Sequence, residues 1–304
     1  MTTAEPLMQA SQRTPFQNVL RRIVRHRSAQ VGFIILGFMI LIAIFAPLIA
    51  PYDPIKVLTD VKVRMPPCIH ILGCAADKPE HIFGVDGNRR DLFSRIIYGS
   101  RLSLEIGIST VSFAILTGVI LGALAGFIGG WFDNLIMRLM DVLLAFPSLI
   151  LSIAIVAVLG PGLINALLAI SIVAIPVYAR IVRASVLQVK EQDFVSASRA
   201  LGASPFGLLM NHVMPNALTP IIVQGTLGIA SAILDAAALS FLGLGAPPPT
   251  PEWGLMLGEE RNSVFNAPHL VFIPGIAIML TVLAFNLIGD GLRDALDPRL
   301  VHGG

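Results

Sequence analysis

The stretch Val142–Ala179 reads VLLAFPSLILSIAIVAVLGPGLINALLAISIVAIPVYA, 38 residues without a charged side chain. About 20 apolar residues are enough for a helix to cross a bilayer, so the run is too long for one helix. Gly160-Pro161-Gly162 interrupts it near the middle, and this combination breaks helices. The run therefore predicts two membrane-spanning helices joined by a tight turn, at about Val142–Leu159 and Leu163–Ala179.

Apolar runs elsewhere in the chain predict four further spans. Hydrophobic residues make up 55% of the chain and charged residues only 13%, with a mean hydropathy of +0.79. Soluble domains carry about twice that charged fraction. We therefore predict an all-α polytopic membrane protein with about six transmembrane helices. The four additional spans are Val31–Ala50, a helix within Leu102–Ile128, Ala217–Leu239 and Leu270–Gly289.

The first span is expected to stay in the mature protein. It is uncharged over 20 residues, whereas the apolar region of a cleavable signal usually has only 7–15. The arginines before it favour a cytoplasmic N-terminus, and six spans then place both tails in the cytoplasm. Basic residues in the first loop are the exception to this pattern. The predicted segments are an N-terminal tail at 1–29, the first span at 30–51, an extracytoplasmic loop at 52–98, a five-helix core at 99–292 with a cytoplasmic loop at 180–216, and a C-terminal tail at 293–304.

Sequence motifs for common membrane enzymes are missing from the chain. A phosphate-binding Walker A loop requires Gly-Lys-Ser/Thr, and no lysine here follows a glycine. No histidine is followed by glutamate, as the H-E-x-x-H zinc protease motif requires, and no G-x-S-x-G nucleophile elbow occurs. We therefore expect no catalytic site and no metal site in this chain.

Asp235 stands inside the fifth apolar run. A carboxylate at membrane depth costs several kcal/mol unless it is paired or hydrated. One interpretation is an acid that lines a translocation path or couples transport to protons. The other is a carboxylate near a helix end that is hydrogen-bonded to a neighbour.

Two cysteines, Cys68 and Cys74, lie in the first predicted outer loop. Cysteines that lie close together outside the cytoplasm usually form a disulfide. His70 and His81 stand nearby, so a metal site is the alternative, although the spacing matches no standard zinc pattern. We favour the disulfide.

The segment between the fourth and fifth spans predicts two short amphipathic helices. Asp193 can cap the first, and Gly202 suits the left-handed position after its end. Ser204-Pro205 starts the second, and Pro215-Asn216 ends it. An ordinary interfacial loop is the alternative to a docking module. Residues on one face of the first helix, at helical spacing, are Phe194, Ala197, Ser198 and Leu201.

This segment resembles the EAA loop of ABC importer permeases, E-A-A-x3-G-x9-I-x-L-P. The matching residues are Ala197, Gly202 and Pro215, whereas Ser196 stands where the family has glutamate. The run His212–Asn216 is similar to the H-x-x-P-N variant of the dipeptide/oligopeptide branch. The resemblance implies that this segment couples the permease to an ATPase, with docking that relies on apolar contacts more than on an ion pair. Its residues are Phe194, Ser196, Ala197, Ser198, Leu201, Gly202 and Pro215.

Three other blocks resemble the same branch. The first runs from Gly84 to Leu104 and departs from the family pattern at Val85 and Arg89, where threonine and glycine are usual. The second is Leu239–Gly245 with Pro251–Gly254, and the third is Phe285–Pro298. The resemblance covers about Val31–Leu300 and implies the fold of a type I ABC importer permease.

The resemblance also implies partners and a source of energy. Such a permease pairs with a sister permease, two ABC ATPases that hold ATP and Mg²⁺, and an extracytoplasmic substrate-binding protein, in the cell inner membrane. Dipeptides or oligopeptides are the expected substrates. Nickel, glutathione or oligosaccharides are alternatives within the class, and a proton-coupled secondary transporter using Asp235 is the alternative from another class.

Overall fold

The computed structural model describes residues 24, 26–75 and 77–296, and its architecture is helical. Most of both predicted tails therefore lies outside the described residues. Five helices are long and apolar enough to cross a membrane, and a sharply bent pair supplies a sixth crossing. The prediction of about six spans is confirmed. The spanning helices are α1 (Arg27–Ile49), α2 (Leu92–Ile128), the pair α3 (Gly130–Leu144) and α4 (Ser148–Leu159), α5 (Leu163–Lys190), α9 (Thr219–Phe241) and α11 (His269–Leu296).

The remaining helices are short and lie on the two sides of the bundle. Between α5 and α9 come α6 (Asp193–Ala200), α7 (Pro205–Gly207), a π-helical turn at Leu208–Val213 and α8 (Met214–Ala217). On the opposite side, α10 (Trp253–Glu260) lies between α9 and α11. The segment 50–91 lies on that same side, which we call the loop side. The side that carries α6–α8 is the coupling side.

The third span is not the single helix predicted at Val142–Leu159. Pro147 has an extended backbone, with φ −57° and ψ 131°, and the axes of α3 and α4 meet at 93° across this elbow. Proline lacks the N–H that would continue the helix, and it disfavours helical geometry in the residue before it. The apolar segment therefore starts at Gly130, and an elbow at residues 145–147 divides it into two helices.

Ion pairs explain why α5 is longer than predicted. The absence of charge suggested an end at Ala179, but α5 continues to Lys190 because its arginines have partners on α3. Arg183 forms a two-pronged ion pair with Asp133, at 2.5 and 2.6 Å, and Arg180 donates a hydrogen bond to Asp141. The predicted 180–216 loop is accordingly shorter and begins after Lys190.

The start of α2 was also misplaced, because its first turns are polar but buried. We predicted a helix within Leu102–Ile128, whereas α2 begins at Leu92. Asp91 caps it by accepting a hydrogen bond from the Ser94 amide at 2.8 Å. The fully buried Arg95 donates hydrogen bonds to the carbonyl oxygens of Pro54 and Pro249, at 3.1 and 3.0 Å. The predicted outer loop therefore ends near residue 91 rather than 98.

Glycines spaced four residues apart allow α2 and α5 to pack closely. A Cβ atom added at Gly122 would lie 2.3 Å from the Ala179 carbonyl oxygen, and one at Gly118 would lie 2.6 Å from the Tyr178 Cβ atom. A Cβ atom added at Gly126 would lie 3.0 Å from the Arg183 carbonyl oxygen. Small residues at this spacing let membrane helices approach to backbone contact.

A buried network of ion pairs fixes the loop-side segment against α10. Arg90 contacts Asp86 at 2.6 Å and Glu259 at 2.7 Å, and both Arg90 and Asp86 are buried. Glu260 accepts a hydrogen bond from the Gly87 amide at 2.6 Å. The Gly84–Leu104 block therefore joins the first loop to the fifth.

Arg89, the departure from the family pattern, adopts a backbone conformation that favours glycine. Its φ is +59°, in the left-handed region. A residue with a Cβ atom costs about 1–2 kcal/mol in this conformation. Arg89 still donates its amide hydrogen to the Asp86 carbonyl oxygen at 3.1 Å. The local turn is thus formed despite the substitution.

The Pro251–Gly254 block fixes α10 against both α2 and α9. Glu252 caps α10 by accepting hydrogen bonds from the amides of Gly254 and Leu255 at 2.9 and 2.7 Å. Burial raises the pKa of the Glu252 carboxyl, although these hydrogen bonds act in the opposite direction. Trp253 is fully buried and donates its indole N–H to the Ile96 carbonyl oxygen at 3.1 Å. A Cβ atom at Gly254 would lie 2.3 Å from the Ala237 carbonyl oxygen.

Candidate functional site

The coupling side is held to the bundle by one apolar cluster. Val195 of α6 is fully buried, as are Val182 and Val186 of α5 and Val213 of the π-helical turn. Ala217 at the end of α8 joins the same cluster. Movement of α6 would therefore be transmitted directly to α5 and to the start of α9.

The opposite surface of this segment exposes large apolar side chains. Phe194 is 45% exposed, Leu201 89% and Phe206 74%. Ala197 is also exposed, so this face of α6 points away from the bundle. Exposed apolar patches of this kind typically mark binding surfaces. We call Phe194, Ala197, Leu201 and Phe206 the coupling surface.

The turns of the coupling segment follow the predicted pattern, with two exceptions. Gly202 has φ +89°, and the Ser204 hydroxyl accepts a hydrogen bond from the Gly207 amide at 3.2 Å. Asp193 does not cap α6, however, because Gln192 occupies the cap position and Asp193 is the first helical residue. Pro215 does not end the second helix, since it lies in the first turn of α8, where proline is tolerated.

Ser196 and Ser198 differ in their surroundings. Ser196 is exposed on α6, at the position where the EAA pattern has glutamate. The Ser198 hydroxyl donates a hydrogen bond to the Phe194 carbonyl oxygen within the helix, at 2.9 Å. Of these two serines, Ser196 is therefore the one whose hydroxyl hydrogen is available to a partner.

A second candidate site is a cavity of about 240 Å³ between α2, the α3–α4 elbow, α5 and α9. Phe146 and Ser148 of the elbow line it, so the cavity lies beside the break at Pro147. Asp235 also lines this cavity and is half-buried. The prediction that Asp235 could face a path is therefore compatible with its position, whereas no neighbouring hydrogen bond is found for it among the described residues.

Other residues of α9 on this side of the cavity were not identified from the sequence. Gln224, Gly228 and Ser231 line it together with Asp235, at helical spacings of four, three and four residues. Tyr178 faces them from α5, and a Cβ atom at Gly228 would lie 1.9 Å from its hydroxyl oxygen. The spacing along α9 was visible in the sequence and could have identified this face.

The cysteine segment forms a small hairpin on the loop side. The sulfur atoms of Cys68 and Cys74 are joined in a disulfide, with Cα atoms 5.4 Å apart. Cys68 and His81 exchange both backbone hydrogen bonds at 2.9 Å. The buried His81 ring contacts the Asp91 carboxylate at 2.8 Å. The alternative metal site would have used Cys68, Cys74, His70 and His81. The disulfide occupies both cysteines, and the His81 ring is engaged by Asp91.

Comparisons with known proteins identify the family. The family model for binding-protein-dependent transport system inner membrane components matches residues 118–302. The model for the N-terminal TM domain of oligopeptide transport permease C matches residues 14–67. The chain belongs to the binding-protein-dependent transport system inner membrane component family. It is therefore a permease of an ABC importer and not a secondary transporter.

Similar permeases match nearly the whole chain. The dipeptide transport system permease protein DppC of Alkalihalophilus pseudofirmus is 48% identical over 94% of this chain and 91% of its own length. The di/tripeptide permease protein DppC of Pseudomonas aeruginosa is 47% identical over 94% and 93%. The glutathione transport system permease protein GsiD of Escherichia coli O157:H7 is 45% identical over 98% and 95%.

The fold is that of a solved importer. An inward-facing structure of the MetNI methionine ABC transporter aligns with a TM-score of 0.56 at 19% identity, covering 68% of this chain and 98% of the other. The predicted type I permease fold is confirmed. As a member of this permease family, the chain is a multi-pass protein of the inner membrane, and such permeases act with ATPases and other subunits.

Proposed function

We propose that this chain is one of two permease subunits of an ATP-driven importer for dipeptides or oligopeptides. The observation that carries the proposal is the match to two DppC permeases across more than nine-tenths of the chain. The cavity on α9 supports it, because neutral polar groups and a carboxylate beside apolar walls suit a peptide in transit.

The proposed complex contains a sister permease, two ABC ATPases and an extracytoplasmic binding protein. The coupling surface docks on an ATPase in the cytoplasm, which places the loop side outside and both termini inside. ATP and Mg²⁺ are held by the ATPases. This chain supplies no phosphate-binding loop, since no lysine follows a glycine.

Reconstitution tests the proposal. The complete complex would be placed in liposomes with the ATPases outside, and the binding protein and labelled trialanine would be enclosed. We expect trialanine to leave the lumen only when ATP and Mg²⁺ are added outside. Transport without ATP, or saturable ATP binding by the purified chain alone, would contradict the proposal.

Glutathione is the second candidate, because GsiD is almost as similar as the DppC permeases. Glutathione is γ-Glu-Cys-Gly, and α-Glu-Cys-Gly has the same atoms with an ordinary peptide bond. A peptide importer should transport the α-linked tripeptide faster, and a glutathione importer should prefer the γ-linked one. The ratio of the two rates in one preparation separates these functions.

A further inference from the structure

One face of α9 carries a stripe of three polar residues and a glycine, namely Gln224, Gly228, Ser231 and Asp235. These residues lie on one face of the helix because they are four, three and four positions apart. All four line the cavity beside the α3–α4 elbow. The Ser231 hydroxyl donates a hydrogen bond to the Leu227 carbonyl oxygen within the helix, at 3.5 Å, and its oxygen can still accept one. Among the described residues, the Gln224 amide and the Asp235 carboxylate have no hydrogen-bond partner, so both are available to a ligand in the cavity.

Asp235 differs from the two carboxylates of α3, and it is the one carboxylate in the lining of this cavity. Asp133 and Asp141 each contact an arginine of α5. Among the described residues, Asp235 has neither an ion pair nor a hydrogen bond, and its surroundings in the cavity include Val111 and Ile170. Glu105 on α2 and Asp290 on α11 also have no ion pair or hydrogen bond within the described part of the chain, but both are exposed and neither lines the cavity. An unpaired carboxylate at this depth is costly, and such residues mark ligand pathways.

The charged side chain in the cavity lining is negative. Its lining includes Asp235 but no lysine, arginine or histidine. The hydroxyl groups of Ser231 and Tyr178 and the amide of Gln224 are neutral hydrogen-bonding groups. A cationic group would therefore gain its main electrostatic attraction at Asp235, whereas an anionic group has no counter-charge in this lining.

The dimensions of the stripe suit a short peptide. Asp235 and Gly228 are seven residues apart, which is about 10 Å along a helix. An extended tripeptide also spans about 10 Å. Gly228 admits the Tyr178 hydroxyl at the far end, because any larger residue would collide with it.

We propose that Asp235 binds a primary ammonium group of the peptide during its passage through the permease. This inference rests on the proposed function, since it requires a peptide as substrate. The ammonium group can come from the peptide N-terminus or from a lysine side chain. Ser231 and the Tyr178 hydroxyl then lie along the peptide backbone.

A cysteine introduced at Ser231 gives a direct test. The chain contains two cysteines, and both are in the disulfide, so Ser231→Cys supplies its single thiol. This position is exposed and lies one helical turn from Asp235. The purified complete complex would be treated with cationic or anionic methanethiosulfonates. Mass spectrometry of the peptide containing residue 231 would give each rate, normalised to that of a small thiol in solution.

We expect the cationic reagent to react about tenfold faster than the anionic one, because a unit charge about 6 Å away in water changes each rate about threefold in opposite directions. Asp235→Asn should bring the ratio to about one, and Asp235→Glu should keep it. Glu105→Gln is the matched control, since Glu105 is exposed on α2 and does not line the cavity. An unreactive thiol, or a cationic-to-anionic ratio in the Asp235→Asn complex as large as that with Asp235 present, would overturn the proposal.

Peptide protection tests the ammonium group itself. Trialanine should slow labelling at position 231, and N-propionyl-alanyl-alanine, which lacks only the ammonium group, should slow it at least fivefold less. N-propionyl-lysyl-alanine tests a side-chain ammonium. In the Asp235→Asn complex, trialanine and its analogue should protect equally. If the wild-type complex imports trialanine but both compounds protect it equally, only this inference fails. If the wild-type complex imports no peptide, the proposed function fails.

Discussion

The coupling surface leads to the prediction that Phe194→Ala weakens ATPase binding without unfolding the permease. Phe194 is 45% exposed, so nearly half of its surface is available to a partner. Its neighbour Val195 makes the fully buried contact with the bundle. Removing the Phe194 ring therefore changes the outer face of α6 and leaves its anchor intact.

The magnitude follows from the exposed area. A phenylalanine side chain offers about 200 Å² of surface, and the exposed fraction of Phe194 corresponds to about 90 Å². At about 25 cal/mol per Å², covering this area contributes about 2 kcal/mol to docking. Its loss should weaken binding of the ATPase about 30-fold, since 1.4 kcal/mol is a factor of ten.

The assay is a titration of the purified permease pair with the ATPase, with binding measured directly and peptide-stimulated ATP hydrolysis measured in parallel. Phe265→Ala is the matched control, because Phe265 is 93% exposed on the loop side and should not touch an ATPase. Ser196→Ala should have a much smaller effect than Phe194→Ala. If Phe194→Ala binds the ATPase within threefold of wild type, α6 does not dock through this face.

Three further predictions concern the backbone, the bundle and the disulfide. Gly202→Val should reduce ATPase association, because a β-branched residue is strained at φ +89° although the space around it is open. Asparagine tolerates this conformation, so Gly202→Asn should retain association in the same titration. Gly122→Ala should destabilise the permease by about 1–3 kcal/mol in thermal unfolding, because the added Cβ atom would collide with a backbone oxygen. Gly37→Ala should show no such loss, because no atom lies within 4 Å of its added Cβ atom. Cys68 and Cys74 should resist an impermeant maleimide in intact cells until a reductant is added, and loss of the bridge should cost about 2 kcal/mol; reaction of both thiols without reductant would contradict an oxidised pair.

Apolar runs located most spans, but charge marked their ends poorly. We ended the predicted α5 before Arg180 and began the predicted α2 after Arg95, because we expected charged residues to lie outside the membrane. In the structure Arg180 has Asp141 as a partner, and Arg95 is enclosed by backbone carbonyl oxygens. These partners lie 39 and 41 or more residues away in the chain, so local composition could not indicate them.

The site was only partly predictable for a different reason. The cap at Ser204 and the left-handed Gly202 depend on neighbouring residues, and they were read correctly from the sequence. The elbow at Pro147 also depends on a local residue. We did not predict it, because the surrounding run is apolar and was interpreted as one continuous helix. The cavity requires this elbow to meet the polar face of α9, and that contact is set by tertiary packing.

The two candidate sites are connected through the same helices. Val186 of α5 belongs to the cluster that holds α6, and Tyr178, eight residues away on α5, lines the cavity. On α9, Ile221 joins the first site and Asp235 the second. Because a helix transmits displacement along its axis, an ATPase that moves α6 must move residues on two walls of the cavity. The α3–α4 elbow forms another wall and is interrupted at Pro147, so it can respond differently from the continuous helices. In the proposed complex, relative movement between this elbow and α9 would change the distance across the cavity at Asp235, and it would thereby couple the nucleotide state of the ATPases to the binding of the peptide.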